Sequence, residues 1–167
     1  GSVFGSLAVG DVHVGGDVSG TIQSDSASIR TFGDIGDVTI GGSLLGGGAN
    51  AGSILAEFAI GNVTIGGDIR PGNFYPSAGK VKADTIQSVT VGGSVVAASL
   101  GLGTLYTAYI HADVSLGPVN IGHDLVGGDA DHSGEISAPQ LSSVTIGGSL
   151  IGGAGNFTGA ITSDGKA

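Results

Sequence analysis

The sequence predicts an all-β fold: a single-stranded, right-handed parallel β-helix of about six coils, each of ~25 residues. Three observations predict it. First, VTIGGSL stands at 38–44 and again at 144–150, and VHVGGDV (12–18), VTIGGDI (63–69), VTVGGSV (89–95) and VNIGHDL (119–125) are variants of it. Second, the copies keep step, with their first valines 26, 25, 26, 30 and 25 residues apart. Third, the 35 glycines sit in a chain that is 40 % hydrophobic and only 11 % charged. A flexible linker or disordered tract shows the opposite balance. Abundant β-branched residues with little Lys or Glu favour strands over helices.

Each part of a coil follows from a column of apolar residues. Column one is Val12, Val38, Val63, Val89, Val119 and Val144; column two, two residues later, is Val14, Ile40, Ile65, Val91, Ile121 and Ile146. That spacing puts both side chains on one face of a strand. The Gly-Gly that follows has nothing to pack and marks a corner. Column three precedes column one by three residues: Val9, Ile35, Ile60, Ile86, Leu116 and Leu141. Column four follows column two by four: Val18, Leu44, Ile69, Val95, Leu125 and Leu150. Column five completes the coil with Val3, Ile29, Ile54, Val81, Ile110, Ile136 and Ile161. One coil cannot bury these marks alone. Stacked coils lay each aliphatic on its counterpart at ~4.8 Å, giving a prism about 29 Å tall. A β-sandwich with glycine-rich hairpins explains the alternation but not five columns held in phase. The right-handed sense is the usual one for parallel crossovers.

Residues 1–167 read as a single repeat domain. Five Lys and Arg against fourteen Asp and Glu leave a net charge of −9, the wrong sign for a phosphate backbone, so no nucleic-acid partner is expected. The absence of cysteine excludes a disulfide framework and thiol chemistry. No apolar run is long enough to cross a bilayer, so membrane insertion is not expected either. Any export signal is expected outside this segment. GSV at 1–3, GSI at 52–54 and GAI at 159–161 hold one place in the coil, and no polar or helical cap shows at either end. The expected partners are therefore flanking repeats of a longer array, or other copies stacked end to end.

On the pattern [IL]-G-x-V-T-I-G-G-[SD]-[LIV], the chain resembles the glycine-rich repeats of long secreted or surface-anchored bacterial parallel β-helix proteins, the adhesin-like class. The match spans essentially the whole chain and is specific for the solenoid rather than for an activity. The resemblance implies an extracellular or cell-surface stalk or adhesive module, often with bound Ca²⁺. The same fold also carries polysaccharide lyases and hydrolases.

Four groups of residues invite chemistry. DADHSGEI at 129–136 sets Asp129, Asp131 and Ser133 at alternate positions before Gly134 and Glu135, the opening of a dockerin- or EF-hand-type calcium loop. The twelfth position, where an acid should clamp the ion, is Gln140. Gly134 also fills the slot of the glycines in GSI and GKV, so an ordinary repeat turn explains it equally. Next, Glu57, Asp84 and Asp113 fall three residues past column five on successive coils, with Lys82 and His111 one residue past it. In register, three carboxylates would stack beside a lysine and an imidazole, as a lyase or hydrolase requires; otherwise they are solvated outer acids. Tyr75, Tyr106 and Tyr109 lie on the long-loop side, with Asn73 and His132 nearby, and are the candidate stacking platform for cell-surface polysaccharide. Packing beneath their own loops is the alternative. Last, His13, Thr39, Thr64, Thr90, Asn120 and Thr145 form an outward ladder. It lacks the second threonine file of an ice-binding face and suits cross-strand contacts. The functional expectation is a non-catalytic extracellular structural or adhesive module, calcium-stabilised in one version. A calcium-assisted polysaccharide lyase or hydrolase is the first alternative, and a glycan- or ice-binding module the second.

Overall fold

In a computed structural model, the described residues are 1–72, 78–98 and 107–164. Among them the chain is all-β, without a helix, and forms a parallel β-solenoid of about six turns. The stacking of like on like is realised in every column. Val12 pairs with Val38, Val38 with Val63, Val63 with Val89, Val89 with Val119, and Val119 with Val144. Columns two and three hold the same register, and column five runs from Val3 to Ile161 without a slip at any of its own members. Column four builds a separate six-stranded sheet from Val18–Ser19, Leu44–Gly46, Ile69–Pro71, Val95–Val96, Leu125–Val126 and Leu150–Ile151.

The core is the inside of the prism. Val38, Ile40, Leu44, Ile54, Val63, Ile65 and Ile69 have no exposed surface. Burying an aliphatic of this size stabilises by roughly 1.5–3 kcal/mol. Burial fades at the end coils, where Val3, Phe4, Leu7, Leu150, Ile151 and Ile161 are exposed.

The corners explain the glycines. A Cβ at Gly41, Gly66, Gly92, Gly122 or Gly147 would run into the carbonyl oxygen of the equivalent glycine one coil earlier. The polar position after each Gly-Gly has a distinct task. Asp17 Oδ1 accepts the N–H of Ser43, Ser43 Oγ that of Asp68, Asp68 Oδ1 that of Ser94, Ser94 Oγ that of Asp124, and Asp124 Oδ1 that of Ser149. A second file before column one does likewise: Asp11 caps Asp37, and Asp37 caps Asn62. Each side chain thus satisfies a corner N–H that the strand ladder leaves unpaired.

A left-handed residue enters every column-five strand after the first. Ala27, Gly52, Gly79, Ala108, Gly134 and Gly159 all have φ between 48° and 62° and stand two residues before the column-five aliphatic. Gly134 is therefore the repeat's own turn glycine. Two coils, those of Val81 and Ile136, are one residue short between columns five and three. At the short Val81 coil, Ala83 pairs with Ala112 but Thr85 with Ser115, so Asp113 and Val114 bulge against Asp84 alone.

Candidate functional site

The residue after column five points outward on every coil. Phe4, Arg30, Leu55, Lys82, His111, Ser137 and Thr162 stand in one register file. The strand Lys80–Val91 also sends Lys80 to this side, because Val81 between them turns inward. Tyr109 lies next to Lys80 one coil on, and the N–H of Ile110 donates to the Glu135 carbonyl of the following coil. Shallow recesses run together along this face. One of about 440 Å³ includes Tyr109, His111, Asp113, Glu135 and Ser137 in its wall. A second, of about 380 Å³, shares Tyr109, His111 and Asp113 and adds Lys80 and Lys82. A third, of about 260 Å³, continues past Lys80 and Lys82 to Glu57, Phe32 and Arg30.

The polar groups form a hydrogen-bonded relay. Lys82 Nζ is 3.1 Å from Asp113 Oδ2, and Asp113 Oδ1 is 2.9 Å from His111 Nε2. His111 Nδ1 meets Ser137 Oγ at 2.8 Å, and that hydroxyl donates to Tyr109 Oη at 3.1 Å. The imidazole stacks on the Tyr109 ring, centroids 5.0 Å apart. Partial burial pushes the Asp113 carboxyl up, but His111 and Lys82 outweigh it and hold Asp113 below the usual carboxylate range. Lys80 lies on the other side of Lys82. Burial and the neighbouring Lys82 charge hold its ammonium below the usual lysine range. A second cluster joins Glu135 Oε2 to His132 Nδ1 at 2.7 Å and Glu135 Oε1 to the Thr162 hydroxyl at 2.6 Å, with His132 stacked on Phe157.

Of the predicted carboxylate stack, the structure brings together Lys82 and Asp113. Glu57 is exposed two coils from Asp113 and borders the recess around Lys80. Asp84 faces the bulge where Asp113 and Val114 oppose it. The short coil is the physical reason: it breaks the file just where the three acids should have aligned. Among the described residues neither Glu57 nor Asp84 makes an ion pair, and no group of three His, Asp or Glu side chains converges in a way that holds a metal.

The predicted calcium loop is spent on other contacts. Ser133 Oγ donates to the Ala130 carbonyl and accepts the N–H of Gly128, closing the loop. Ser26 and Thr158 do the same at the equivalent place on other coils. Asp131 Oδ1 accepts the N–H of Asn156, Glu135 is held by His132 and Thr162, and Asp129 faces solvent. Asp131, Ser133 and Glu135 thus commit oxygens to the turn and the next coil, and among the described residues no three His, Asp or Glu side chains converge there on an ion. Of the tyrosines, Tyr75 and Tyr106 lie outside the described residues. Tyr109 is only 7 % exposed, with one ring face against His111, and so lines the groove by its edge rather than as an open platform.

Ser137 and its bond to His111 escaped the sequence reading. The signal was present: Ser137 is one residue past column five, in the file of Lys82 and His111. Compared with known proteins, the chain matches no family model, no curated protein and no solved structure.

Proposed function

We propose that this chain is a non-catalytic structural and adhesive β-solenoid module of a bacterial surface or secreted protein, working outside the cell. One observation carries the reading: five aliphatic columns run through every coil in register, so the side-chain inventory is committed to a continuous rod. The acids support it. Asp11, Asp17, Asp34, Asp37, Asp68, Asp124 and Asp131 each accept a backbone N–H from the next coil. The exposed aliphatics of the end coils offer matching faces to flanking repeats or to a second copy. Calcium is not needed for this rod. Melting in excess Ca²⁺ and in EDTA should coincide, and a rise with Ca²⁺ would restore the calcium-stabilised version.

The reading is tested on a panel of neutral and acidic polysaccharides, scored for new reducing or unsaturated ends. No turnover is expected. The rival is a polysaccharide-cleaving site, which the Lys82–Asp113–His111–Ser137 relay favours. Turnover that disappears in both Asp113→Asn and Ser137→Ala would replace the structural reading with that one.

A further inference from the structure

Positive charge is scarce in this chain and unevenly placed. Five Lys and Arg stand among 167 residues: Arg30, Arg70, Lys80, Lys82 and Lys166. Lys166 lies outside the described residues. Of the other four, Arg30, Lys80 and Lys82 border one recess on the face after column five. Arg70 sits on the column-four sheet, paired with Asp68 at 2.8 Å.

The three cations differ in what holds them. Arg30 reaches Asp25 at 3.2 Å and lies 5.8 Å over the Phe32 ring. Lys82 reaches Asp113 at 3.1 Å. Lys80 forms no ion pair among the described residues, though it is half-buried. It stands two residues from Lys82 on the same strand face, at the meeting of two recesses. A half-buried ammonium beside a second cation loses hydration and suffers repulsion at once. An anion seated between the two offsets both losses. Where Lys80 stands, earlier coils of the same file carry Ser28 and Ser53, so the stacking itself does not demand a lysine.

We propose that Lys80, assisted by Lys82 and Arg30, forms an oxyanion-binding site on the side of the solenoid, for a carboxylate or sulfate group presented free or on an acidic glycan. The neighbouring recess, walled by Tyr109, His111 and Asp113, extends along the axis and gives room for the sugar that bears the charge. The inference is independent of the structural reading, since a rod without any ligand remains a rod.

Calorimetric titration of the folded protein at low ionic strength tests it. The probes are inorganic sulfate, tetragalacturonate, and neutral maltotetraose as control. Sulfate and tetragalacturonate should bind and maltotetraose should not. Lys80→Gln should weaken the anions by about tenfold or more, Lys80→Arg should restore them, and Arg70→Gln should leave them unchanged. Lys80→Gln removes an ammonium from a partly desolvated place, so it should fold, which circular dichroism verifies. Binding of tetragalacturonate alone assigns the site to an acidic sugar, and binding of sulfate alone assigns it to a free ion; both uphold it. Failure of both anions to bind, or equal binding by wild type and Lys80→Gln, would overturn the proposal.

Discussion

Replacing Ile65 by alanine probes how the rod is held together. Ile65 has no exposed surface and lies in register between Ile40 and Val91. The change removes three carbons, worth ~0.8 kcal/mol each in lost transfer energy, or about 2.4 kcal/mol. A cavity term adds to this, because the coils on both sides are fixed by four other columns and cannot close the gap. The expected cost is about 3–4 kcal/mol. Ile146 belongs to the same column but is only partly buried and pairs with Ile121 alone. Ile146→Ala should cost less than half as much, about 1–1.5 kcal/mol. Thr64, adjacent to Ile65 and exposed, should cost under about 1 kcal/mol as alanine. Urea unfolding followed by circular dichroism reads all three. Equal costs for Ile65→Ala and Ile146→Ala would refute the reasoning, since column contacts on two sides would then matter no more than contacts on one.

Other perturbations address the corners and the charges. Gly66→Ala should destabilise by about 1–3 kcal/mol, because its Cβ meets the Gly41 carbonyl, whereas Gly15→Ala on the first coil opens into free space and should be nearly neutral. Asp124→Ala should cost about 1 kcal/mol by freeing the Ser149 N–H, while Asp124→Ser should recover most of it, as serine fills this file on other coils. Acid stability should depend on Asp68 and Asp113. Partial burial raises each, but Asp68 is lowered by the Ser94 N–H and Arg70, and Asp113 by His111 and Lys82, so both fall below the usual carboxylate value. A lowered folded-state value gives stability that is present above the unfolded value and is lost as pH falls through the folded one. The double variant Asp68→Ser, Asp113→Asn should therefore flatten the decline of the urea midpoint below about pH 5, and an unchanged slope would contradict the assignment.

The architecture was legible because its determinants are local and repeated. Five aliphatics at fixed spacing in each coil specify a register that a one-residue slip would turn inside out. The site was less legible because its contacts join residues about one coil apart, and the intervening loop lengths vary. His111 and Ser137 are 26 residues apart and meet only through that register. The carboxylate stack failed for the converse reason: the coil carrying Asp84 lacks one residue, and a bulge absorbs the difference. The D-x-D-x-S-G pattern reads two ways because a calcium loop and this turn draw on the same residues. Both need a glycine with positive φ and short oxygen side chains to satisfy a tight backbone. In the repeat pattern the position after each Gly-Gly stands only as Ser or Asp. What unites its aspartates and serines is one accepting oxygen at one reach from the backbone, visible only once the coils are stacked.

Cross-linking by paired cysteines tests the register most directly, since the chain has no cysteine of its own. Thr64 and Thr90 are in-register partners on adjacent coils, ~4.8 Å apart, within the span that a disulfide bridges. Thr64 and Asn120 are two coils apart, about 9.6 Å, beyond it. Under mild oxidation, Thr64→Cys with Thr90→Cys should close an intramolecular disulfide nearly completely, and Thr64→Cys with Asn120→Cys should stay reduced. Ready closure of the second pair, or none of the first, would contradict the stacked parallel register on which the columns, corners and side-face site depend.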